Sequence, residues 1–135
     1  HAIVLDSLKL DQGTVRAPIG RDPSNRLRMA VTDQNSRDAV THYTVLERFG
    51  KFTYLEARLE TGRTHQIRVH MAYLHHPLLG DQVYGPKKPI LGVSTQMLHA
   101  KILGFQHPTT GKHLEFDSPL PEEFAQVLSR LRERI

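Results

Sequence analysis

The chain has 135 residues, of which 39% are hydrophobic and 24% are charged. This length is typical of one domain with a single core, and the composition is that of a globular protein and too apolar for a disordered one. The absence of cysteine excludes disulfides, a thiolate nucleophile and a cysteine zinc site. Because no apolar run approaches the ~18 residues of a membrane-spanning helix and the N-terminus lacks a leader pattern, we expect a cytoplasmic protein with no membrane partner.

Lysine and arginine outnumber aspartate and glutamate by 18 to 14, which gives a net charge of +4, and twelve of the 18 basic residues are arginine. A guanidinium pairs with phosphate through two hydrogen bonds and stacks on bases, so this balance favours a phosphate-rich partner. A basic, well-solvated surface is the alternative, since the excess is modest. The thirteen residues 16–28 include a single acidic residue, Asp22, and four arginines, Arg16, Arg21, Arg26 and Arg28. This concentration of positive charge predicts a basic loop.

The first half of the chain predicts short strands. Residues 13–19 and 28–31 are strand-like, and Asp22-Pro23 in the polar segment between them favours a turn. From residue 40 to residue 59, apolar and polar residues alternate as they do in paired strands, with residues 49–51 as the turn. This pattern predicts a β-hairpin.

A helix is predicted next, with Thr64 as its N-cap and His76 as its last residue before Pro77. At roughly 100° per residue, one face of this helix is apolar and the other is polar. The face that we expect to be buried carries Ile67, Met71 and Leu74. The opposite face, which we expect to be exposed beside a cleft, carries His65, Arg68, Ala72 and His76.

The rest of the chain predicts a turn, a second hairpin and a terminal helix. Gly80-Asp81 predicts the turn, and Tyr84 either packs in the core or stacks on a base. Residues 97–105 alternate and lead through a glycine-containing turn into residues 113–116, and Pro121 opens the helix. The buried stripe of this helix is predicted to be Phe124, Val127, Leu128, Leu131 and Ile135. Together these elements predict an α+β fold with a mixed, mainly antiparallel sheet and packed helices.

The densest polar cluster extends from Arg63 to His76. Its histidines His65, His70 and His75 are five residues apart, so each is turned about 140° from the last, whereas zinc ligands on a helix need i,i+4 spacing. We therefore expect no metal site, and we expect His70 to be a hydrogen-bonded structural residue. The sequence contains neither a G-x-S-x-G nucleophile elbow nor a glycine-rich phosphate loop.

The segment LETGRTHQIRVHMAYLHHPLLGDQVYG, residues 59–85, resembles the signature of the pseudouridine synthases that act on large-subunit ribosomal RNA and tRNA, the RluA, RluC and RluD type. The flanking segments AVTHYTVLERF and MLHAKILGFQHPTTGKHLEFDSPLPEEF resemble the same family, so the resemblance covers nearly the whole chain. It implies the α+β catalytic fold of that family and isomerisation of selected uridines in structured RNA, either ribosomal RNA or tRNA. It also implies that no metal or organic cofactor is needed.

The nucleophile of this family is an aspartate in an HRLD-type motif, which this sequence does not contain. Asp6 and Asp11 each follow a leucine but no His-Arg pair, so we assign neither as the nucleophile. The resemblance therefore implies that residues 1–135 are the C-terminal portion of a catalytic domain, inactive alone and able to self-associate through an exposed sheet edge. The alternatives are a non-catalytic RNA-binding module with the same fold and, third, a zinc-dependent hydrolase.

The resemblance also implies site residues. Arg68, the second arginine of GRTHQIR, matches the basic residue that pairs with the nucleophilic aspartate, and a guanidinium keeps such a carboxylate ionised and in place. Leu98 is expected to offer an apolar wall to the uracil. RNA or substrate contacts are expected from the polar cluster and the basic loop, namely Arg63, His65, Gln66, Arg26 and Arg28.

Overall fold

The structure is a computed structural model that describes residues 1–25, 28–63, 65–99, 102–106, 113–117 and 119–133. Within these ranges it has the predicted α+β fold, with antiparallel strand pairs. Its elements are, in chain order, β1 (Ala2–Leu5), β2 (Gln12–Arg16), β3 (Ile19–Arg21), β4 (Met29–Val31), β5 (Ser36–Arg37), β6 (Val40–Arg48), β7 (Phe52–Leu59), α1 (Gln66–Tyr73), β8 (Ile102–Gln106), β9 (His113–Asp117) and α2 (Glu122–Glu133). A four-stranded sheet has the order β1-β7-β6-β2, a three-stranded sheet has the order β4-β3-β5, and β8 and β9 form a two-stranded sheet.

The predicted hairpin of β6 and β7 is confirmed and forms the centre of the four-stranded sheet. Its turn contains Gly50, whose φ of +73° favours glycine. The four residues from Phe52 to Leu55 are all buried, because this part of β7 is covered on both faces. Phe52 packs with the apolar stripe of α2, whereas Leu55 packs with Met71 of α1. The two helices therefore cover opposite faces of this part of β7.

Other strands depart from the alternation pattern. The predicted strand at residues 13–19 divides into β2 and β3, which belong to different sheets, at Ala17-Pro18. Proline has no N–H to donate to a sheet ladder, which accounts for the division. Alternation does not indicate β1 at all, because Ala2, Ile3 and Val4 are each 0% exposed and form a continuous apolar run. The second predicted hairpin is confirmed by β8 and β9, although residues 97–99, which were predicted to lie in its first strand, are not part of β8. Its turn lies outside the described residues.

Helix α2 confirms the predicted terminal helix and its apolar stripe. Phe124, Val127, Leu128 and Leu131 are buried, and Ile135 lies outside the described residues. Arg132 Nε donates to Glu47 Oε2 at 3.0 Å beside the bulge of β6, and Arg130 donates to the Leu91 carbonyl at 3.1 Å. These two arginines thus fasten α2 to the rest of the fold, in addition to complementing its dipole.

Helix α1 is shorter than predicted at both ends. It begins at Gln66, and His65 occupies the N-cap position with a left-handed φ of +55° and no side-chain cap bond. Thr64, the predicted N-cap, lies outside the described residues. The helix ends at Tyr73, three residues before the predicted end, because His75 turns the chain with a left-handed φ of +67°.

The buried face of α1 is partly polar, which differs from the prediction. Its buried residues are Gln66, Val69, His70 and Met71. Ile67 and Leu74, which were predicted to lie on the buried face, are half-buried at the margin of the core. The helix is thus rotated so that two polar side chains, Gln66 and His70, meet strand β6.

His70 and Gln66 are buried because they complete a hydrogen-bond network. His70 Nε2 lies 2.9 Å from the carbonyl oxygen of Ala17, and its Nδ1 lies 2.7 Å from Thr41 Oγ1. Since a carbonyl only accepts, Nε2 carries the ring proton and Nδ1 accepts from the threonine hydroxyl. Gln66 Nε2 donates to Thr41 Oγ1 and to the Val40 carbonyl, each at 2.9 Å. The expectation that His70 is a hydrogen-bonded structural residue is therefore confirmed.

The other end of the Gln66 amide fastens the segment that precedes α1. Gln66 Oε1 accepts from the hydroxyl of Thr61 at 2.7 Å and from the backbone N–H of Arg63 at 3.0 Å. Thr61 Oγ1 in turn accepts from the N–H of Val40 at 3.0 Å. The oxygen and the nitrogen of the buried amide thus both have hydrogen-bond partners within the protein. These bonds hold the segment before α1 against β6.

The backbone at Gly80 has no room for a side chain. Its φ is +84°, and a Cβ at this position would lie 2.1 Å from the carbonyl oxygen of Thr95. The neighbouring Leu79 is bonded on both sides, donating to the Ile3 carbonyl and accepting from the N–H of Met97, each at 2.8 Å. Glycine therefore lets the chain turn toward Asp81 while it stays packed between two other segments.

We predict that Gly80→Ala lowers the free energy of unfolding by about 3 kcal/mol or more, because left-handed strain adds to a backbone overlap. Gly50→Ala is the matched control, since Gly50 has a φ of +73° but a Cβ there would meet no atom of the described residues within 4 Å. The control should lose only about 1–2 kcal/mol. Urea unfolding of both variants measures the difference, and equal losses would contradict this account of Gly80.

The buried His70 predicts a dependence of stability on pH. Burial lowers the pKa of His70, and the hydrogen bond to the Ala17 carbonyl opposes this only in part. The unfolded chain therefore binds a proton below pH ~6.5 that the folded chain does not bind, so the free energy of unfolding falls as pH falls, by at most about 1.4 kcal/mol per pH unit. His70→Gln should unfold more easily and show a shallower fall between pH 7 and pH 5. The exposed His75→Gln is the control, and identical slopes for wild type and His70→Gln would refute the prediction.

Candidate functional site

Arg68 forms a two-point ion pair with Asp81. Its Nε lies 2.8 Å from Oδ2 and its Nη2 lies 3.1 Å from Oδ1. The side chains are 11% and 0% exposed, so the expectation of an exposed face is wrong for Arg68, whose charge is paired inside the fold. The sequence implied a carboxylate partner outside this chain, whereas the structure supplies one within it. Because both charges are shielded from water, loss of either would leave the other uncompensated.

The Asp81 carboxylate is also bonded to the turn that carries it. Its Oδ1 accepts from the backbone N–H groups of Val83 and Tyr84, each at 3.1 Å. Burial, the largest single influence, favours the neutral acid, but the hydrogen bonds from Arg68 and the backbone and the charge of Arg68 together outweigh it. The pKa of Asp81 is therefore lowered. The predicted turn is confirmed, but the ion pair was missed, because the sequence carries no signal that links residues thirteen positions apart in this geometry.

Tyr84 joins the ion pair to the three-stranded sheet. Tyr84 is 8% exposed and packs with Ile19, which shows that it belongs to the core. The Arg68 guanidinium carbon lies 4.9 Å from the ring centroid, and that of Arg28 lies 5.2 Å from it. Both distances are within the range of cation–π attraction. The Tyr84 ring therefore attracts two guanidinium groups, one from α1 and one from the segment before β4.

The hydroxyl of Tyr84 bonds two further groups. The N–H of Met29 donates to it at 3.0 Å, and the hydroxyl lies 2.7 Å from Nδ1 of His65. The phenol oxygen accepts from Met29, and its single proton is free to be donated. The Tyr84 hydroxyl therefore donates to His65 Nδ1. Partial burial and then the charge of Arg68 lower the pKa of His65, which favours the neutral ring that can accept.

The structure brings Arg28 of the predicted basic loop together with His65 and Arg68 of the polar cluster at Tyr84. Arg28 donates from Nη1 to the Val83 carbonyl at 3.1 Å, and its Nε lies 3.3 Å from Asp22 Oδ2. Arg26 lies outside the described residues. Arg16 and Arg21 of the predicted basic loop lie instead on β2 and β3. The contacts of Arg28 tie the segment before β4 to the turn of Asp81.

Three other predicted site residues lie elsewhere. Arg63 Nε donates to the Asp38 carbonyl at 2.8 Å. Gln66 is 2% exposed and bonded within the network at the start of α1, which gives it a structural role. Leu98 is half-buried, forms a bridge with Ala2 and packs with the core cluster on the α1 face of the sheet.

The histidines of the polar cluster are dispersed. His65 bonds Tyr84, His70 bonds Thr41, and His75 is exposed in a left-handed turn. In the part of the chain that the structure describes, His, Asp and Glu side chains form no group of three or more that could hold a metal ion. Among the described helices, none combines the length and apolar character needed to cross a membrane.

The arrangement can hold an anion beside Arg68. A guanidinium has five N–H protons, and Asp81 accepts from Nε and from Nη2. The pKa of Arg68 is raised, chiefly by its hydrogen bond to Asp81, so the group stays cationic. Its charge and remaining donors suit a second carboxylate or a phosphate.

Comparison with known proteins matches this chain to RNA-modifying relatives. Residues 2–73 match the family model described as RNA pseudouridylate synthase. The chain is 53% identical over 131 residues to an uncharacterized RNA pseudouridine synthase of Bacillus subtilis, covering 97% of this chain and 43% of the relative. It is 48% identical over 144 residues to the ribosomal large subunit pseudouridine synthase D of Xanthomonas campestris, covering 98% and 43%. The chain thus spans less than half the length of these relatives.

Solved structures agree with the sequence relatives. The human RNA pseudouridylate synthase domain containing 1 superposes with a TM-score of 0.74 at 26% identity, covering 97% of this chain and 63% of that one. Human RNA pseudouridylate synthase domain containing 4 gives a TM-score of 0.75 at 26% identity, covering 97% and 60%. Because the family model matches more than half of the residues and the fold agrees, the chain belongs to the RNA pseudouridylate synthase family.

Proposed function

We propose that this chain is part of a longer RNA pseudouridine synthase that isomerises uridines in structured RNA. Membership of the family supports the reaction, and the name of the Xanthomonas campestris relative favours ribosomal RNA over tRNA as the substrate. The observation that carries the proposal is the match of residues 2–73 to the family model. The site adds Arg68 of the GRTHQIR segment, a largely buried guanidinium that is held by two hydrogen bonds. A guanidinium held in this way keeps a neighbouring carboxylate ionised and oriented, which a nucleophilic aspartate requires.

The proposed reaction rearranges one base without loss or gain of atoms overall. The bond from N1 of uracil to C1′ of the ribose breaks, and a bond from C5 to C1′ forms. C5 then loses its hydrogen as a proton, and N1 gains one. The base must turn relative to the ribose, so the target uridine has to leave any helix in which it is stacked.

The attacking carboxylate comes from outside this chain in our proposal. Asp81 is unsuited to attack, because its side chain is 0% exposed and already accepts four hydrogen bonds. Asp11 lies on the loop between β1 and β2, where its exposed carboxylate pairs with Arg48 at 2.8 Å and not with Arg68. Among the described strands, β2 pairs on one side only, with β6, which leaves a sheet edge for the remainder of the catalytic domain.

The second candidate is a non-catalytic RNA-binding module. One observation favours it, namely that Arg68 already has a carboxylate partner within the chain. The two candidates differ in whether uridine is converted, because both would bind RNA through exposed arginines such as Arg16 and Arg21. An assay of conversion therefore separates them.

We predict that the longer protein releases tritium from ribosomal RNA transcripts labelled at C5 of uridine, and that the 135-residue chain alone does not. Addition of the missing portion in trans should restore the release. Arg68→Lys in the longer protein should lower kcat by on the order of 100-fold, with a smaller change in RNA affinity, because lysine keeps the charge and loses the fork. The exposed Arg58→Lys is the matched control. Conversion by the chain alone, or an unchanged kcat for Arg68→Lys, would contradict this assignment.

We also predict that RNA affinity falls steeply as salt is raised, because each arginine that binds a phosphate releases counterions. Filter binding of a ribosomal RNA fragment between 50 mM and 200 mM salt measures the slope. Arg21→Gln should reduce that slope by about one unit for each phosphate that the side chain no longer neutralises. A slope near zero would refute electrostatic binding of RNA by this surface.

A further inference from the structure

The donors of Arg68 are divided into two groups by its contacts. Asp81 accepts from Nε at 2.8 Å and from Nη2 at 3.1 Å, which uses one side of the planar guanidinium. The fork formed by Nη1 and the second proton of Nη2 has no hydrogen-bond partner among the described residues. Because the side chain is only 11% exposed, this fork has limited access to water. The direction in which this fork points therefore depends on the protein groups that contact the guanidinium.

Two groups on one turn restrain that direction. The carboxylate of Asp81 is fixed by two backbone N–H groups of its own turn, so it cannot rotate to follow Arg68. The ring of Tyr84 lies against the guanidinium, with 4.9 Å between its centroid and the Arg68 carbon. The first contact fixes rotation within the guanidinium plane, and the second limits tilt of that plane.

Tyr84 is itself anchored to other elements. Its hydroxyl accepts from Met29 of β4 and bonds His65 at the start of α1. Its ring also lies 5.2 Å from the guanidinium carbon of Arg28 in the basic loop. The position of Arg68 is therefore coupled to the three-stranded sheet and to the loop that precedes β4.

We infer that Asp81 and Tyr84 are positioning residues that hold Arg68 with its Nη1–Nη2 fork directed to the anionic group of the reaction. This inference rests on the proposed function, because it assigns the fork to that reaction. Neither residue has to touch RNA, since Asp81 is fully buried and Tyr84 is 8% exposed. Their substitution should therefore affect turnover much more than binding.

Steady-state kinetics of the longer protein on a ribosomal RNA transcript provides the first test. Asp81→Asn should lower kcat by on the order of 100-fold, because a small misplacement of a positioning group has an effect of that size. Tyr84→Leu removes the ring contact and should lower kcat by roughly tenfold, and Tyr84→Phe, which keeps the ring, should lower it less. KM for RNA should stay within about twofold in each variant, because the phosphate contacts are unchanged. Tyr73→Phe, on the exposed side of α1, is the control and should match wild type.

A measurement without turnover keeps the inference testable even if Asp81→Asn folds poorly. In ¹⁵N spectra of arginine side chains, the Nε–H of Arg68, identified by its absence in Arg68→Lys, should exchange slowly with solvent in the wild type. Exchange should accelerate in Tyr84→Leu and should be unchanged in Tyr73→Phe. Melting curves recorded alongside show which variants are folded at the assay temperature.

The outcomes separate this inference from the proposed function. A wild-type protein that converts no uridine refutes the proposed function, and the exchange of Arg68 Nε–H in Tyr84→Leu then tests whether Tyr84 holds the guanidinium. Folded variants with wild-type kcat refute the positioning roles while the function stands. Equal losses in kcat and in RNA affinity, or unchanged exchange in Tyr84→Leu, also overturn the inference.

Discussion

The buried ion pair of Arg68 and Asp81 is the constraint on which the site depends. A charge removed from water is tolerated only when its partner and hydrogen bonds replace the lost solvation, and loss of one partner typically costs about 3–5 kcal/mol. Here the carboxylate accepts two bonds from the guanidinium and two from the backbone, so its charge is well compensated. The helix and the turn that carry these residues must therefore be placed accurately relative to each other.

Two separate features of the fold provide that accuracy. Helix α1 is fixed on its buried side by the hydrogen-bond network of His70, Thr41 and Gln66, in which every donor faces an acceptor. The turn of Asp81 is fixed by Gly80, whose backbone lies so close to Thr95 that a side chain is excluded. The first half of β7, residues 52–55, is buried on both faces between α1 and α2 and forms the base on which these parts pack.

In our proposal this chain supplies the cation of the active site, and the rest of the protein supplies the nucleophile. Asp81 is paired with Arg68 and is unavailable for attack on ribose, and in the proposal the nucleophile comes from another segment of the longer protein. The relatives, of which this chain spans 43% in the Bacillus subtilis protein, are long enough to contain such a segment. The chain then contributes a fixed cation and a basic surface, which are features that an enzyme acting on a polyanion requires.

Local pattern in the sequence determined the elements whose neighbours are close along the chain. The β6–β7 hairpin, the terminal helix and the stripe of Phe124, Val127, Leu128 and Leu131 follow from periodicity of side chains, and the family was recognised from the segment around Arg68. Periodicity did not reveal β1 or the rotation of α1. β1 is buried on both faces, and α1 is turned by hydrogen bonds to β6 that outweigh its apolar pattern.

The site residues divide in the same way. The sequence indicated that Arg68 matters and that Gly80-Asp81 turns the chain, because a motif and a turn are properties of neighbouring residues. Only the tertiary structure decided that Asp81 is the partner of Arg68, that Tyr84 belongs to the core and that Gln66 is buried. These outcomes depend on which elements pack together, and a contact between segments distant in sequence is set by the free energy of the whole fold rather than by any local pattern.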